Sequence, residues 1–471
     1  MTRRCVRVVM LVGVLTAPVG VWAQAPTTGQ AAAAPQVFTL DQAIQYAVDH
    51  YPTVRAALEQ VNVSTAGVSV ARAAYLPRLD SLWQSNRATA NNIVGQVLSQ
   101  SVIPAISGPV LPSASGQSVW SSATGALFSW EPLDFGLRDA TIVGAEATVT
   151  RARAGESLTR LDVQGAVGAA FLGILAAQRA VTAAQADFER RDVLARTVHT
   201  LVDNQLRPGA EASRADAERA AAQTRVIQAQ AALTLAQTTM ARALGVTAAN
   251  VTIDAASLLD RSPATGVTGA AATTHPLAQF RQAAVDVARA QEGVLARTDL
   301  PRVYLQSSVF ARGSGANPNG DFSGGLGDLG LDRANWAAGV QVVFPNVFDF
   351  RSLRGRKAAA AASGRAETAL YDEALLTITS QQQATAAMVQ AARAVAANTP
   401  VQLMAAQQSE VQARARYQAG LASILEVADA QSLLAQAEVQ DQLARVAVWQ
   451  ALLAEAVAQG NLASFLTLLR P

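Results

Sequence analysis

Cysteine is almost absent: the 471-residue chain has one, Cys5, inside an N-terminal stretch that reads as a secretory signal. Without that stretch there is no thiol, so disulfides, cysteine-ligated metals and a lipid-bearing N-terminal cysteine are excluded. Histidine is nearly as scarce. His50, His199 and His275 are scattered, and none stands in a metal-ligand spacing with another. Nucleophile elbows, phosphate loops and dinucleotide fingerprints are missing too. The glycines between Gly313 and Gly330 follow a strand-like run but do not open a helix. No enzyme activity, cofactor or metal is expected.

Charge of either sign is sparse, at 15% of residues. Subtracting Arg3, Arg4 and Arg7 of the signal from the 37 basic residues leaves 34 against 35 acidic ones, a net of −1. Such a balance gives no case for nucleic-acid binding. Long apolar runs are likewise lacking. The stretch from Val8 to Val21 is too short to span a bilayer and is broken by Pro18 and Gly20. Residues 1–23 are therefore expected to be a signal peptide ending at Val21-Trp22-Ala23, and residues 24–36 a flexible leader. No later segment reads as a membrane-crossing helix.

What is present is a repeat. His50-Tyr51-Pro52 and His275-Pro276 are each followed, 25 residues after the proline, by Pro77 and Pro301 inside Leu-Pro-Arg. A second pair of landmarks is RYQAGLASILEVADAQ from Arg416 to Gln431 and QLRPGAEASRADAERAAAQ from Gln205 to Gln223. Each reads as the tip of a helical hairpin, and matching Gly209 to Gly420 sets Glu218 under Asp429. The first repeat is expected over 37–249, with its tip at about 203–213; the second over 275–471, with its tip at about 417–424. Residues 250–274 connect them.

Each copy opens with helix; Thr39-Leu-Asp-Gln42 reads as a capping box. After Leu-Pro-Arg the texture changes to alternating polarity with aromatics at the ends. Strands are expected at about 79–87 and 120–130, then at about 302–312 and 335–344, each pair joined by a long polar loop. Such strands resemble those of outer-membrane barrels. Four cannot close a barrel, and an open sheet edge is not tolerated in lipid, so several protomers must share one. Three protomers give twelve strands, enough for a water-filled lumen. The chain then returns to helix through Glu131-Pro-Leu-Asp-Phe-Gly136 or Pro345-Asn-Val-Phe-Asp-Phe350. Between Ala140 and Val202 there is no proline, and Val167, Ile174, Val181 and Phe188 recur every seven residues, as in coiled-coil-like assemblies.

The opening FTLDQAIQYAVDHYP, the Leu-Pro-Arg, the Pro-Leu-Asp-Phe-Gly turn and the RYQAGLASILEVADAQ hairpin, in two copies, resemble the TolC family of outer-membrane efflux proteins. The resemblance implies a homotrimer in the outer membrane, mainly α with a membrane β-barrel, whose twelve strands continue into a periplasmic α-helical tunnel. It also implies a periplasmic adaptor and an inner-membrane pump of RND or ABC type as partners. Glu426 and Asp429, three apart on one helix face, match the family's acidic constriction ring. Six carboxylates round a narrow mouth would favour cations. Tyr417 matches an entrance-latch position, and Gly209, Ala210, Gly420, Leu421 and Ser423 match the places where adaptors dock. Two positions depart: Ala215 and Ala422 stand where the archetype has Asp and Arg, so the latch is expected to be rebuilt, with Arg214, Asp216 or Arg416 as candidates. The duct of a type I protein-secretion system, and a pore-less periplasmic coiled-coil scaffold, are the competing readings.

Overall fold

The computed structural model describes residues 37–89, 91, 98, 100–103, 116–246, 251–255, 258, 269–315, 321, 323, 325–345 and 348–469. The expected signal and leader, and most of the connector, lie outside the described residues.

The first copy begins with a short strand, β1 (Val37–Phe38), and helix α1 (Leu40–His50). Thr39 Oγ1 accepts from the Gln42 amide at 3.4 Å, and the Gln42 side chain accepts from the Thr39 amide at 3.1 Å. This reciprocal box satisfies two of the orphan amides at the helix start. Helix α2 (Pro52–Ala73) starts on its proline, where a missing N–H costs nothing. Strands β2 (Arg78–Thr89) and β3 (Ser118–Leu133) follow, then helix α3 (Leu137–Asp203) and helix α4 (Gly209–Leu244). The short strand β4 (Thr252–Ile253) pairs parallel with β1. In the second copy helix α5 (Pro276–Ala296) again starts on proline, with the His275 ring accepting from the Leu277 amide at 3.1 Å. Strands β5 (Arg302–Ser314) and β6 (Arg333–Val343), helix α6 (Phe350–Gln418), helix α7 (Ile424–Ala458) and helix α8 (Ala463–Leu469) complete it. With 67 and 69 residues, α3 and α6 are each ~100 Å long at 1.5 Å per residue.

The four long strands form one antiparallel sheet in the order β2-β3-β5-β6. Its register sorts side chains by polarity. Directly opposed residues share a face, so Gln84, Ala123, Arg312 and Arg333 fall in one row, and Asp80, Leu127, Ser308 and Ala337 in another. That face also carries Asn86, Ser121, Gln306 and Gln341. The opposite face carries Leu79, Trp83, Phe128, Trp130, Val309, Trp336, Val340 and Val342, all exposed. A sheet polar on one side and apolar on the exposed other is the pattern of strands between lipid and an aqueous lumen. The helices join at one end of the sheet, at Arg78, Leu133, Arg302 and Val343; the loops lie at the other.

The main core sits partway along the helices, where α1, α3, α4 and α7 meet the β1–β4 pair. Phe171, Leu172, Ile174, Met240, Leu244, Trp449 and Phe465 are all buried there. Trp449 donates to the Leu258 carbonyl at 2.8 Å and meets Phe465 edge-to-face at 6.2 Å. Within α3 one window is long and apolar enough to cross a membrane, a segment the sequence reading passed over. Its apolarity is that of a core helix: Phe171, Leu172 and Ile174 face this cluster with no exposure. Trp449→Ala should cost about 3–5 kcal/mol through the cavity it leaves. A several-degree drop in the midpoint of thermal helix loss, followed by circular dichroism, is the expected result.

Candidate functional site

The end of the helical body away from the sheet is built by two turns of the same design. In the second copy α6 ends at Gln418, Gly420 takes φ +74°, and the amides of Gly420 and Leu421 donate to the carbonyls of Tyr417 and Arg416 at 3.0 and 2.8 Å. In the first copy α3 ends at Asp203, Gln205 takes φ +59°, and the amides of Gln205 and Leu206 donate to the carbonyls of Val202 and Leu201, both at 2.8 Å. Both are Schellman closures. The repeat therefore runs with an offset of 215 (420 − 205), not the 211 obtained by matching Gly209 to Gly420. Gly209 is the first residue of α4, behind Pro208 at its N-cap. The error is four residues, about one helical turn, which keeps the helix face and so preserved the apparent pattern. In the corrected register Glu426 lies over Glu211, Asp429 over Arg214, and Ala422 over Arg207.

Those equivalences expose what joins the two hairpins. Tyr417, 4% exposed, donates its hydroxyl to Glu211 Oε2 at 2.9 Å. Arg207 lies over the Tyr417 ring at 4.6 Å, donates to the Tyr417 carbonyl at 3.2 Å, and stands 3.8 Å from Glu211. Burial, then the bond to Glu211, pushes the Tyr417 hydroxyl up to about 12. Around this triad Ala195, Val198, Ala212, Ala215, Ala422, Ile424 and Val427 form one apolar cluster drawn from both hairpins. Ala215 and Ala422 are 4% and 8% exposed in it. The four-residue shift moves the position matched to the family's Asp from Ala215 to Glu211, so of the two departures only Ala422 stands, and a charge at either alanine would be buried.

The other expected gate residues are spread out. Asp216 pairs with His199 at 3.0 Å on the outside of the first hairpin. Arg416 stands 3.7 Å from Glu426 across its own turn, an exposed pair of little energetic weight. Arg214 is exposed and lines a small cavity with Ala215, Glu218, Ile424 and Gln431. Glu426 caps α7 through Ser423. Both Glu426 and Asp429 are exposed on the first two turns of that helix, and Asp429 makes no ion pair among the described residues. Gly209, Ala210, Gly420, Leu421 and Ser423 are all exposed on the two tips. Leu421 and its counterpart Leu206, at 71% and 68%, are the apolar residues the tips present. Sequence reasoning missed Leu206, Arg207 and Glu211. The shared spacing from Leu206 to Glu211 and from Leu421 to Glu426 was the signal that could have found them.

Above the tips a second layer ties α3 to its neighbours. Arg191, 2% exposed, pairs with Asp187 at 3.0 Å and Glu218 at 2.7 Å and donates to Ser432 at 3.0 Å. Arg225 reaches Asp187 at 2.8 Å, and Arg190 binds both oxygens of Glu438 at 3.1 and 2.6 Å. Every buried charge in this layer has partners, as burial demands.

Against known proteins, the family model described as outer membrane efflux protein matches residues 43–246 and 270–459, most of the chain. The chain belongs to that family. Comparison with curated protein sequences gives no significant match. Among solved structures, VceC of Vibrio cholerae is similar at 19% identity and a TM-score of 0.71, over 90% of this chain and 96% of that one. CmeC of Campylobacter jejuni is similar at 14% identity and 0.73, over 89% and 85%. The open state of the MtrE channel of Neisseria gonorrhoeae is similar at 18% identity and 0.70, over 90% and 89%. These likenesses are of fold. As a member of that family, the protein is an outer membrane efflux protein.

The Tyr417 contact carries a pH dependence. Its hydroxyl holds its proton more tightly in the folded state, so the stabilisation is complete below pH 10 and is lost as pH rises toward about 12. In Tyr417→Phe that alkaline loss should vanish and the tips should be looser at neutral pH, by about 1–3 kcal/mol. Hydrogen exchange of tip amides, compared between pH values and variants, reads both effects.

Proposed function

We propose that three copies form a passive exit duct, the outer-membrane part of a tripartite system that exports small molecules from an inner-membrane pump through a periplasmic adaptor. The observation that carries this reading is the four-stranded sheet with an apolar exposed face and two open edges, β2 and β6. An unpaired edge in hydrocarbon leaves backbone groups unsatisfied, at several kcal/mol each. Pairing β6 of one protomer with β2 of the next removes the edges, and three copies close twelve strands.

The long helices then continue the pore to the tips, where Glu426 and Asp429 of three protomers supply six carboxylates at the entrance. Negative charge in a narrow mouth concentrates cations and repels anions. Tyr417, Glu211 and Arg207 hold the two hairpins of one protomer together, with Ala215 and Ala422 in apolar contact beside them. Substrate moves down its gradient through the duct; the energy comes from the pump. The exposed Leu206 and Leu421, flanked by Gly209, Ala210, Gly420 and Ser423, suit docking of an adaptor's helical hairpin, because small neighbours let another backbone come close.

Single-channel recording tests the entrance. Glu426→Ala with Asp429→Ala should lose the cation preference of the parent, by several-fold in permeability ratio; unchanged selectivity refutes the acidic ring. Docking is tested separately. Gly420 takes φ +74° with open space around it, so Gly420→Trp both strains the turn and blocks the tip. Export in cells carrying the cognate pump should be abolished while heat-stable trimers persist in the outer membrane; retained export would rule out docking there.

A further inference from the structure

The charge at the opposite end of the sheet has the other sign. Arg312 of β5 and Arg333 of β6 are directly opposed in the register and lie on the polar face, close to the loop ends of their strands. Like charges set directly across a strand pair destabilise it. The outer half of that face carries no carboxylate among its strand residues: β2 contributes Leu82, Gln84, Asn86 and Ala88, and β3 contributes Val119, Ser121, Ala123 and Gly125. The Asp80 carboxylate lies toward the helical end and is paired with Arg78 at 2.9 Å.

Two further groups converge on the arginines. Gln84 stands in the same cross-strand row as Arg312 and Arg333, and its buried Nε2 has no hydrogen-bond partner among the described residues. Ser121, two residues along β3 on the same face, is 2% exposed and its Oγ is likewise unpartnered. Gln84 Nε2, a donor without an acceptor, and the Ser121 hydroxyl, which can donate as well as accept, lie beside two guanidiniums and point to a site for an acceptor of negative charge; Asn86 Oδ1, across from Ser121, is a buried acceptor on the same face. Val102 and Ile103, buried against Ala123 and Phe310, fold back over the same face and narrow this end.

We propose that Gln84, Ser121, Arg312 and Arg333 form an oxyanion-binding rim inside the outer end of the lumen. The inference rests on the trimeric-pore reading, in which three copies bring six guanidiniums to one level of the barrel. Guanidinium binds phosphate-type groups through paired N–H donors, so the preferred ligands are multivalent oxyanions. The channel is then polarised: carboxylates at the periplasmic mouth draw in cations, and arginines at the exit hold anions. A polyanion entering from outside stops at the rim.

The test is conductance of the full-length protein in planar bilayers, with inorganic tripolyphosphate added to one side at a time. Block is expected from the loop side alone, and about tenfold weaker in Arg312→Gln with Arg333→Gln. Gln84→Leu, which keeps both arginines, should weaken block less, by a few-fold. Equal block of parent and double variant, or block from the tip side alone, overturns the rim and leaves the pore standing. Should the double variant not assemble, absence of loop-side block in the parent, or unaltered block in Gln84→Leu, still overturns it. A parent trimer without any conductance overturns the pore reading and the rim with it.

Discussion

An unpaired peptide group in hydrocarbon costs several kcal/mol, and this one constraint organises the molecule. It forces the sheet to be extended until its edges vanish, and a chain with four strands cannot do so alone. Each copy of the repeat therefore supplies two strands, and each strand pair hands the chain directly to helix at Leu137 or Phe350. Because the sheet orients the strand ends toward one side, the long helices leave in one direction and reach a common end. The tips are placed by the barrel, ~100 Å away, through helices that no proline interrupts in α3 and one proline, Pro400, interrupts in α6.

Much of this was legible in the sequence because its signals are local. Alternating polarity marked the strands, the paired prolines Pro52 and Pro276 marked the repeat, and Thr39 with Gln42 marked the start of α1. The tips were legible only in part. A left-handed turn residue is usually glycine, and the second tip obeys with Gly420; the first uses Gln205, which carries the same turn without the glycine. Matching glycine to glycine thus slipped the copies by one turn and set Ala215, not Glu211, under Glu426. The partner of Tyr417 was illegible for a second reason: Arg207 and Tyr417 are 210 residues apart, and no periodicity reports a contact made through the tertiary fold. The apolar role of Ala215 and Ala422 was hidden in the same way, since alanine is common along every helix here and only burial separates these two from the rest.

The distribution of charge at the tips separates two tasks. Contacts that hold a protomer together are buried: Tyr417 with Glu211, Arg191 with Asp187 and Glu218, and the apolar cluster beneath them. Glu426 and Asp429, by contrast, stay exposed and weakly paired. A buried network loses several kcal/mol when one partner is removed, whereas an exposed pair changes little when broken. Opening that required the two hairpins of one protomer to part would break the expensive set; opening between protomers would break the cheap one. In the trimeric duct proposed above, that difference would favour movement of each four-helix tip as a unit. Alanine at 215 and 422 fits that division, because both are buried where the two hairpins of the chain meet.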